Sequence, residues 1–161
     1  MKVIFLDIDG VLNANSCDAA CQSAGYIDES KVRMLSDIIQ KTNSVVVLHS
    51  GWRFLLNESL EPVGQEAENL LSLLEKYKIK LYDRTPDFST EEIKKTEKFS
   101  LVKAAEILSW LNAHKEVDNY LVLDDLDLHN AIIAKHQIRT NSADGLTQDD
   151  VSCAIKVLNL H

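Results

Sequence analysis

The sequence predicts a three-layer α/β/α domain built on a mostly parallel, five-stranded sheet. Three observations predict it. Short apolar runs alternate with amphipathic helical stretches along the 161 residues. Several of those runs end on a polar or acidic residue, and the connections are long enough for crossover helices. The chain is 45% hydrophobic, sufficient for a core without disulfides or a structural metal, so one domain over residues 1–161 is the expected organisation.

Val3-Ile4-Phe5-Leu6 is unbroken by polar residues, the pattern of a strand covered on both faces, and it ends at Asp7. Val32, Leu35, Ile38 and Ile39 recur at helical spacing behind candidate caps at Asp28 and Ser30. Val45-Val46-Val47-Leu48 is the second strand, leading to His49 and Ser50. A helix follows over 66–77, with Leu70, Leu71, Leu73 and Leu74, then a short strand at Ile79-Lys80-Leu81-Tyr82. The helix over 101–114 is expected to turn Ala104, Ala105, Ile107, Leu108 and Leu111 inward, before a fourth strand at Tyr120-Leu121-Val122-Leu123. A minor strand at Gln137-Ile138-Arg139 and a helix over 148–158 complete the pattern. Residues 83–99 stand apart: with Pro86, many charges and scattered apolar residues, they read as a surface excursion with a turn or two of helix near 91–96. Such a length suits either a lid or a solvated loop.

Lys plus Arg number 17 against 25 for Asp plus Glu, a net charge of -8. That balance disfavours general binding along a nucleic-acid backbone or to an anionic membrane, while leaving room for a local positive pocket. No run approaches the length of a membrane span, and Cys17, Cys21 and Cys153 read as reduced thiols rather than a zinc site. A soluble cytoplasmic protein without an obligate protein partner is expected.

In an open α/β sheet, ligands bind beyond the carboxyl ends of the strands. Asp7, Ser50 and the Asp124-Asp125 pair all fall there. Crowded carboxylates repel one another and are costly next to a core unless a cation compensates them, and an oxygen-only donor set suits Mg²⁺. Asp9 follows Asp7 by two residues, with Gly10 able to turn the chain so that both acids serve one pocket.

Asp7-Ile8-Asp9-Gly10-Val11-Leu12-Asn13 resembles the first motif of the haloacid dehalogenase (HAD) superfamily, whose fold is Rossmann-like. Ser50 resembles its second motif, Lys103 its third and Asp124-Asp125 its fourth. Ser50-Gly51-Trp52-Arg53, Lys103 through Leu111 and Gly145-Leu146-Thr147 are closer still to the small HAD-like domains of Swiss Army Knife RNA-repair proteins. Relative to those, Lys103 stands for an Arg, Ala104 for a Gly, and His49 for a residue that is often a hydroxyl.

The resemblance implies a phosphatase. Asp7 becomes the nucleophile and Asp9 the general acid and base. Ser50 and Lys103 hold the transferring phosphoryl group, and Mg²⁺ is bound by Asp7, the Asp9 carbonyl, Asp124 and Asp125, the last directly or through water. Gly51, Arg53 and Asn13 are candidate substrate contacts. Arg53 has the alternative of a salt bridge to Glu58 or another surface acid, Asn13 that of orienting Asp9 or the turn, and Lys103 that of a solvated helix position. Trp52 and Trp110 read as core or rim packing. The stretch from Ala14 to Tyr26 is too short for a large cap, so the site should be open to a phosphorylated small molecule or a nucleic-acid end. A non-catalytic phosphate-binding or protein-interaction module, and a phosphotransferase, are the rival readings.

Overall fold

In the computed structural model, residues 1–14 and 25–160 are described; Cys17 and Cys21 lie outside them. Five strands form one sheet, β1 (Lys2–Leu6), β2 (Ser44–Leu48), β3 (Leu81–Arg84), β4 (Asn119–Asp124) and β5 (Gln137–Arg139). Their order is β3-β2-β1-β4-β5, and every pairing is parallel. The chain winds from β1 outward to β3, then returns to the other side of β1 through β4. Strand order therefore reverses between β1 and β4, where the carboxyl ends leave a crevice.

Alternate residues of the central strands feed two cores. Ile4, Leu6, Val46, Leu48, Leu121 and Leu123 face α1 (Glu29–Thr42), α2 (Gln65–Lys76) and α6 (Gln148–Asn159), burying Leu35, Leu70 and Leu158 among others. Val3, Phe5, Val47 and Val122 face the opposite way, against Ala104, Ile107 and Trp110 of α4 (Ser100–Ala113) and Ile133 of α5 (Ala131–Ala134). Burial on both faces is why these strands are continuously apolar rather than alternating.

Helix starts follow the capping chemistry. Asp28, rather than Ser30, caps α1 by accepting from the Ser30 amide. Thr147 and Asp150 form a reciprocal capping box on α6.

Two expectations shift. The third strand is Leu81–Arg84, not 79–82: Lys78 is left-handed (φ 59°) and Ile79 is buried against α1 and α2 as the chain leaves α2. A buried isoleucine looks like a strand residue in a sequence, but here it closes a helix end. Asp83 and Arg84 consequently belong to the sheet, and the excursion begins only afterwards, with α3 (Glu91–Thr96) where a turn or two of helix was expected. On α4, Ala105 is exposed, and the buried stripe is Lys103, Ala104, Glu106, Ile107 and Trp110. Two charged residues therefore point into the protein.

Candidate active site

Asp7 leaves the end of β1, where its amide still donates to Leu123 at 2.9 Å, so the strand pairing fixes its main chain. Its side chain is 7% exposed and accepts from the Ile8 amide (2.8 Å) through Oδ1. Asp124 ends the neighbouring β4 and is fully buried. Between them lies the Lys103 ammonium, 2.7 Å from Asp7 Oδ2 and 2.6 Å from Asp124 Oδ2. Lys103 reaches inward from the first turn of α4, which excludes its reading as a solvated helix position.

Burial alone would lower the Lys103 pKa, but attraction and hydrogen bonds from Asp7 and Asp124 outweigh it and raise it, so the cation persists. Burial, then repulsion from Asp7, pushes Asp124 up to about 7 despite Lys103. Asp125 is raised for the same reasons, burial first.

One ammonium thus bridges two acids, with a third, Asp125, close by. Carboxylate oxygens of Asp7, Asp124 and Asp125 lie within 4.8 Å of one another, an all-oxygen donor set of the kind a hard divalent cation takes. The residues fit such an ion. The Asp9 carboxylate is not part of this cluster. It turns toward solvent, where Asn13 Nδ2 donates to Oδ1 (2.8 Å) and Trp52 Nε1 donates to Oδ2 (3.0 Å). Asn13 Oδ1 also accepts from the Gly10 amide at 2.9 Å, so Asn13 serves the turn and Asp9 together.

Gly10 is required where it stands. Its φ is +75°, and a β-carbon there would come within 2.5 Å of Asp125 Cγ. Behind this turn, Thr140 Oγ1 donates to the Gly10 carbonyl at 2.7 Å, and the Leu146 amide donates to the Val11 carbonyl at 2.8 Å. Gly145 (φ +66°) fits against the same Val11 carbonyl, 2.9 Å from where its β-carbon would sit. The Gly-Leu-Thr motif accordingly braces the first motif from behind and then caps α6.

Ser50 is fully buried at the end of β2 and caps a 3₁₀ helix, Gly51–Leu55, by accepting from the Trp52 amide at 3.4 Å. Because Oγ is the acceptor in that bond, the hydroxyl is free to donate, and Ser50 lines a pocket with Asp7, Asp9, Gly51, Arg53 and Lys103. Gly51 has open space around its α-carbon, so no steric demand for glycine arises there. His49, also fully buried, is held well below its ordinary pKa by burial, then by Lys103 and Arg53, and is neutral. Its 3.8 Å approach to Asp124 is therefore not an ion pair, while its Nδ1 meets Thr85 Oγ1 at 3.3 Å.

Arg53 is 5% exposed, and its partner is not Glu58. Its Nη2 donates to Glu106 Oε1 at 3.0 Å, with Asp87 Oδ1 at 3.8 Å, while Nη1 donates to the Ser50 carbonyl at 3.3 Å. Glu106 Oε1 also accepts from the Phe88 amide at 2.9 Å, which ties the start of the 85–99 excursion to the pocket wall. Burial raises the Glu106 pKa, against the opposing pull of the Phe88 amide and Arg53.

The motif order and this geometry agree with a family model. The model of the HAD domain in Swiss Army Knife RNA repair proteins matches residues 3–151. The chain belongs to that family. No curated protein and no solved structure gives a significant match. As a HAD domain with the carboxylate cluster in place, it is a phosphatase of the HAD type, and the cluster is competent to hold a divalent metal.

Sequence reasoning missed the Trp52 bond to Asp9 and the Arg53–Glu106 pair. Trp52 carried one signal, an indole N–H two residues beyond Ser50 that needs an acceptor when partly buried. Trp110 obeys the same rule, donating to Asp83 Oδ2 at 2.6 Å. Among the described residues, no helix is long and apolar enough to cross a membrane.

Proposed function

We propose that this domain hydrolyses phosphomonoesters through an aspartyl-phosphate on Asp7. The observation that carries the reading is the Lys103 bridge between Asp7 and Asp124, in a pocket that Ser50 and Asp9 also line. Phosphoryl transfer asks a protein chiefly for an in-line nucleophile and for positive charge on the phosphoryl oxygens.

In the first step an Asp7 carboxylate oxygen attacks phosphorus, and the bond from phosphorus to the ester oxygen breaks. Asp9 gives its proton to the departing alkoxide. In the second step Asp9, now a carboxylate, takes a proton from water. The resulting hydroxide attacks the phosphorus of the acyl phosphate, freeing the Asp7 carboxylate and inorganic phosphate. Ser50 donates its hydroxyl, and Lys103 its ammonium, to the phosphoryl oxygens. Trp52 and Asn13 hold Asp9 at the pocket edge, beside the position of the leaving oxygen. Asp7, Asp124 and Asp125, with the Asp9 carbonyl, would hold Mg²⁺, which would supply further neutralisation of the phosphoryl charge.

For substrate, the reading is a nucleotide or the terminal phosphate of a nucleic acid. The family description names RNA repair proteins, and between β3 and α4 only the six-residue helix α3 is folded, too little for a cap domain. The net charge of -8 favours contact with an end over contact along a backbone.

A phosphate-release assay over small metabolites, nucleotides and both ends of short RNA and DNA, with and without Mg²⁺, tests the proposal. Asp7→Asn, confirmed as folded, is expected to lose at least about a thousandfold in turnover. Normal turnover by the variant removes the nucleophile assignment. A phosphorylated oligonucleotide cleaved no better than p-nitrophenyl phosphate removes the nucleic-acid reading.

A further inference from the structure

The pocket above Asp7 has a volume of about 380 Å³, within the range that holds small ligands and more than a phosphoryl group occupies. Its chemistry changes with depth. Asp7, Ser50 and Lys103 are buried, whereas Phe54, Phe99, Val102 and Leu126 line the same pocket nearer the surface. Phe54 is 54% exposed, Phe99 37% and Leu126 38%. Apolar side chains gathered at the mouth of a polar pocket mark a surface that a ligand covers.

The aromatic walls are tied to the phosphate-binding residues. Phe54 lies four residues after Ser50 in the 3₁₀ helix. Phe99 lies four before Lys103, and its carbonyl accepts from the Lys103 amide at 3.2 Å. The Phe54 ring is also oriented in advance, because the Arg53 guanidinium lies over it, 4.7 Å from the centroid. Arg53 is in turn fixed by Glu106 and by the Ser50 carbonyl. A ring held against a cation on one side presents a fixed flat surface on the other, and flat rings gain most from such a surface.

We propose that the alcohol half of the substrate carries a flat aromatic ring, which lies against Phe54 and Phe99 while its phosphoryl group rests on Asp7, Ser50 and Lys103. The proposal rests on the phosphatase reading for the placement of the phosphoryl group. An alcohol bearing only hydroxyls would leave the rings in water and the hydroxyls against carbon. An alkyl chain would bury area but gain nothing from the fixed orientation of Phe54.

Non-hydrolysable phosphonates separate these cases by calorimetric titration of the full chain in Mg²⁺. Benzylphosphonate is expected to bind at least about tenfold more tightly than propylphosphonate, and also more tightly than hexylphosphonate. In Phe54→Ala and in Phe99→Ala the benzyl advantage should shrink to about threefold or less. Both rings are partly exposed, so both variants should keep the wild-type fold, which circular dichroism and the thermal midpoint verify. Hexylphosphonate binding as tightly as benzylphosphonate, or a benzyl advantage untouched in both variants, overturns the proposal.

A purine nucleoside 5′-methylenephosphonate binding more tightly than benzylphosphonate assigns the ring to a nucleobase; the reverse order assigns it to a simple aryl ester. The expected ranking without phosphate release from any monoester overturns the proposed function and leaves the ring site standing. Release of phosphate from glycerol phosphate as readily as from phenyl phosphate does the opposite.

Discussion

Two groups of buried charge face inward from α4, one turn apart. At Lys103, a single ammonium is shared by Asp7 and Asp124, with Asp125 close by. At Glu106, one carboxylate meets one guanidinium and one amide. The first group has acids in excess of its cation; in the second one buried carboxylate meets one buried guanidinium, with Asp87 at 3.8 Å and with Arg53 Nε and Glu106 Oε2 left without a hydrogen bond. Burying unmatched charge costs stability, and a fold retains it where a further cation or substrate completes the set. The Arg53–Glu106 pair instead fixes one segment against another. Chemistry and architecture thus use the same helix, and the charge balance tells them apart.

Removing each helix charge gives the largest tests of that distinction. Lys103→Met should lower turnover by about 10²–10³-fold, the scale for loss of one preorganised charge partner in a transition state. Mg²⁺ should also raise its thermal midpoint by more than it raises that of the wild type, since two acids have lost their cation. Steady-state kinetics with a melting titration checks both. Turnover within threefold of wild type would reduce Lys103 to a packing role.

Glu106→Ala should cost about 3–5 kcal/mol in urea unfolding, because Arg53 is left buried without its carboxylate. Arg53→Met combined with Glu106→Leu should recover much of that. A loss under about 1 kcal/mol would mean that the pair is solvated and worth no more than a surface bridge.

The Gly10 turn comes next in expected effect. Gly10→Ala forces a β-carbon into left-handed backbone and against Asp125, whose Cγ would lie 2.5 Å and Cβ 2.9 Å away, so rotating the carboxylate relieves only part of the clash. About 1–2 kcal/mol of stability should go to the backbone. The Mg²⁺ concentration for half-maximal activity should rise as Asp125 moves. An unchanged Mg²⁺ requirement would separate Asp125 from the metal.

The smallest effect is reserved for Trp52→Phe, which keeps the packing and deletes the N–H that Asp9 accepts. Turnover should fall several-fold with KM unaltered, on the scale of one hydrogen bond to a charged group. A rise in KM with constant kcat would move Trp52 to substrate binding.

The carboxylate cluster was legible because sheet topology, not side-chain detail, assembles it: acids at the ends of β1 and β4 must meet if those strands are neighbours. Lys103 was legible only through the motif, since by composition it is one cation on an amphipathic helix. The Arg53–Glu106 pair was not, because its partners are 53 positions apart and several acids lie nearer to Arg53 in the sequence. Local spacing also misled at Ile79, where an isoleucine beyond a helix was read as the first residue of a strand. Trp52 illustrates a third limit: its indole was rightly placed near packing, but the acceptor it found depends on how the Gly10 turn presents Asp9.

The brace behind that turn bears on the order in which the protein is made. Asp7 is translated well before Thr140 and Leu146, which secure the turn that follows Asp9. A nascent chain therefore exposes its reactive acid long before the surroundings that would make it act. Competence for turnover waits until Thr140 and Leu146 have been added and have docked against the Gly10 turn.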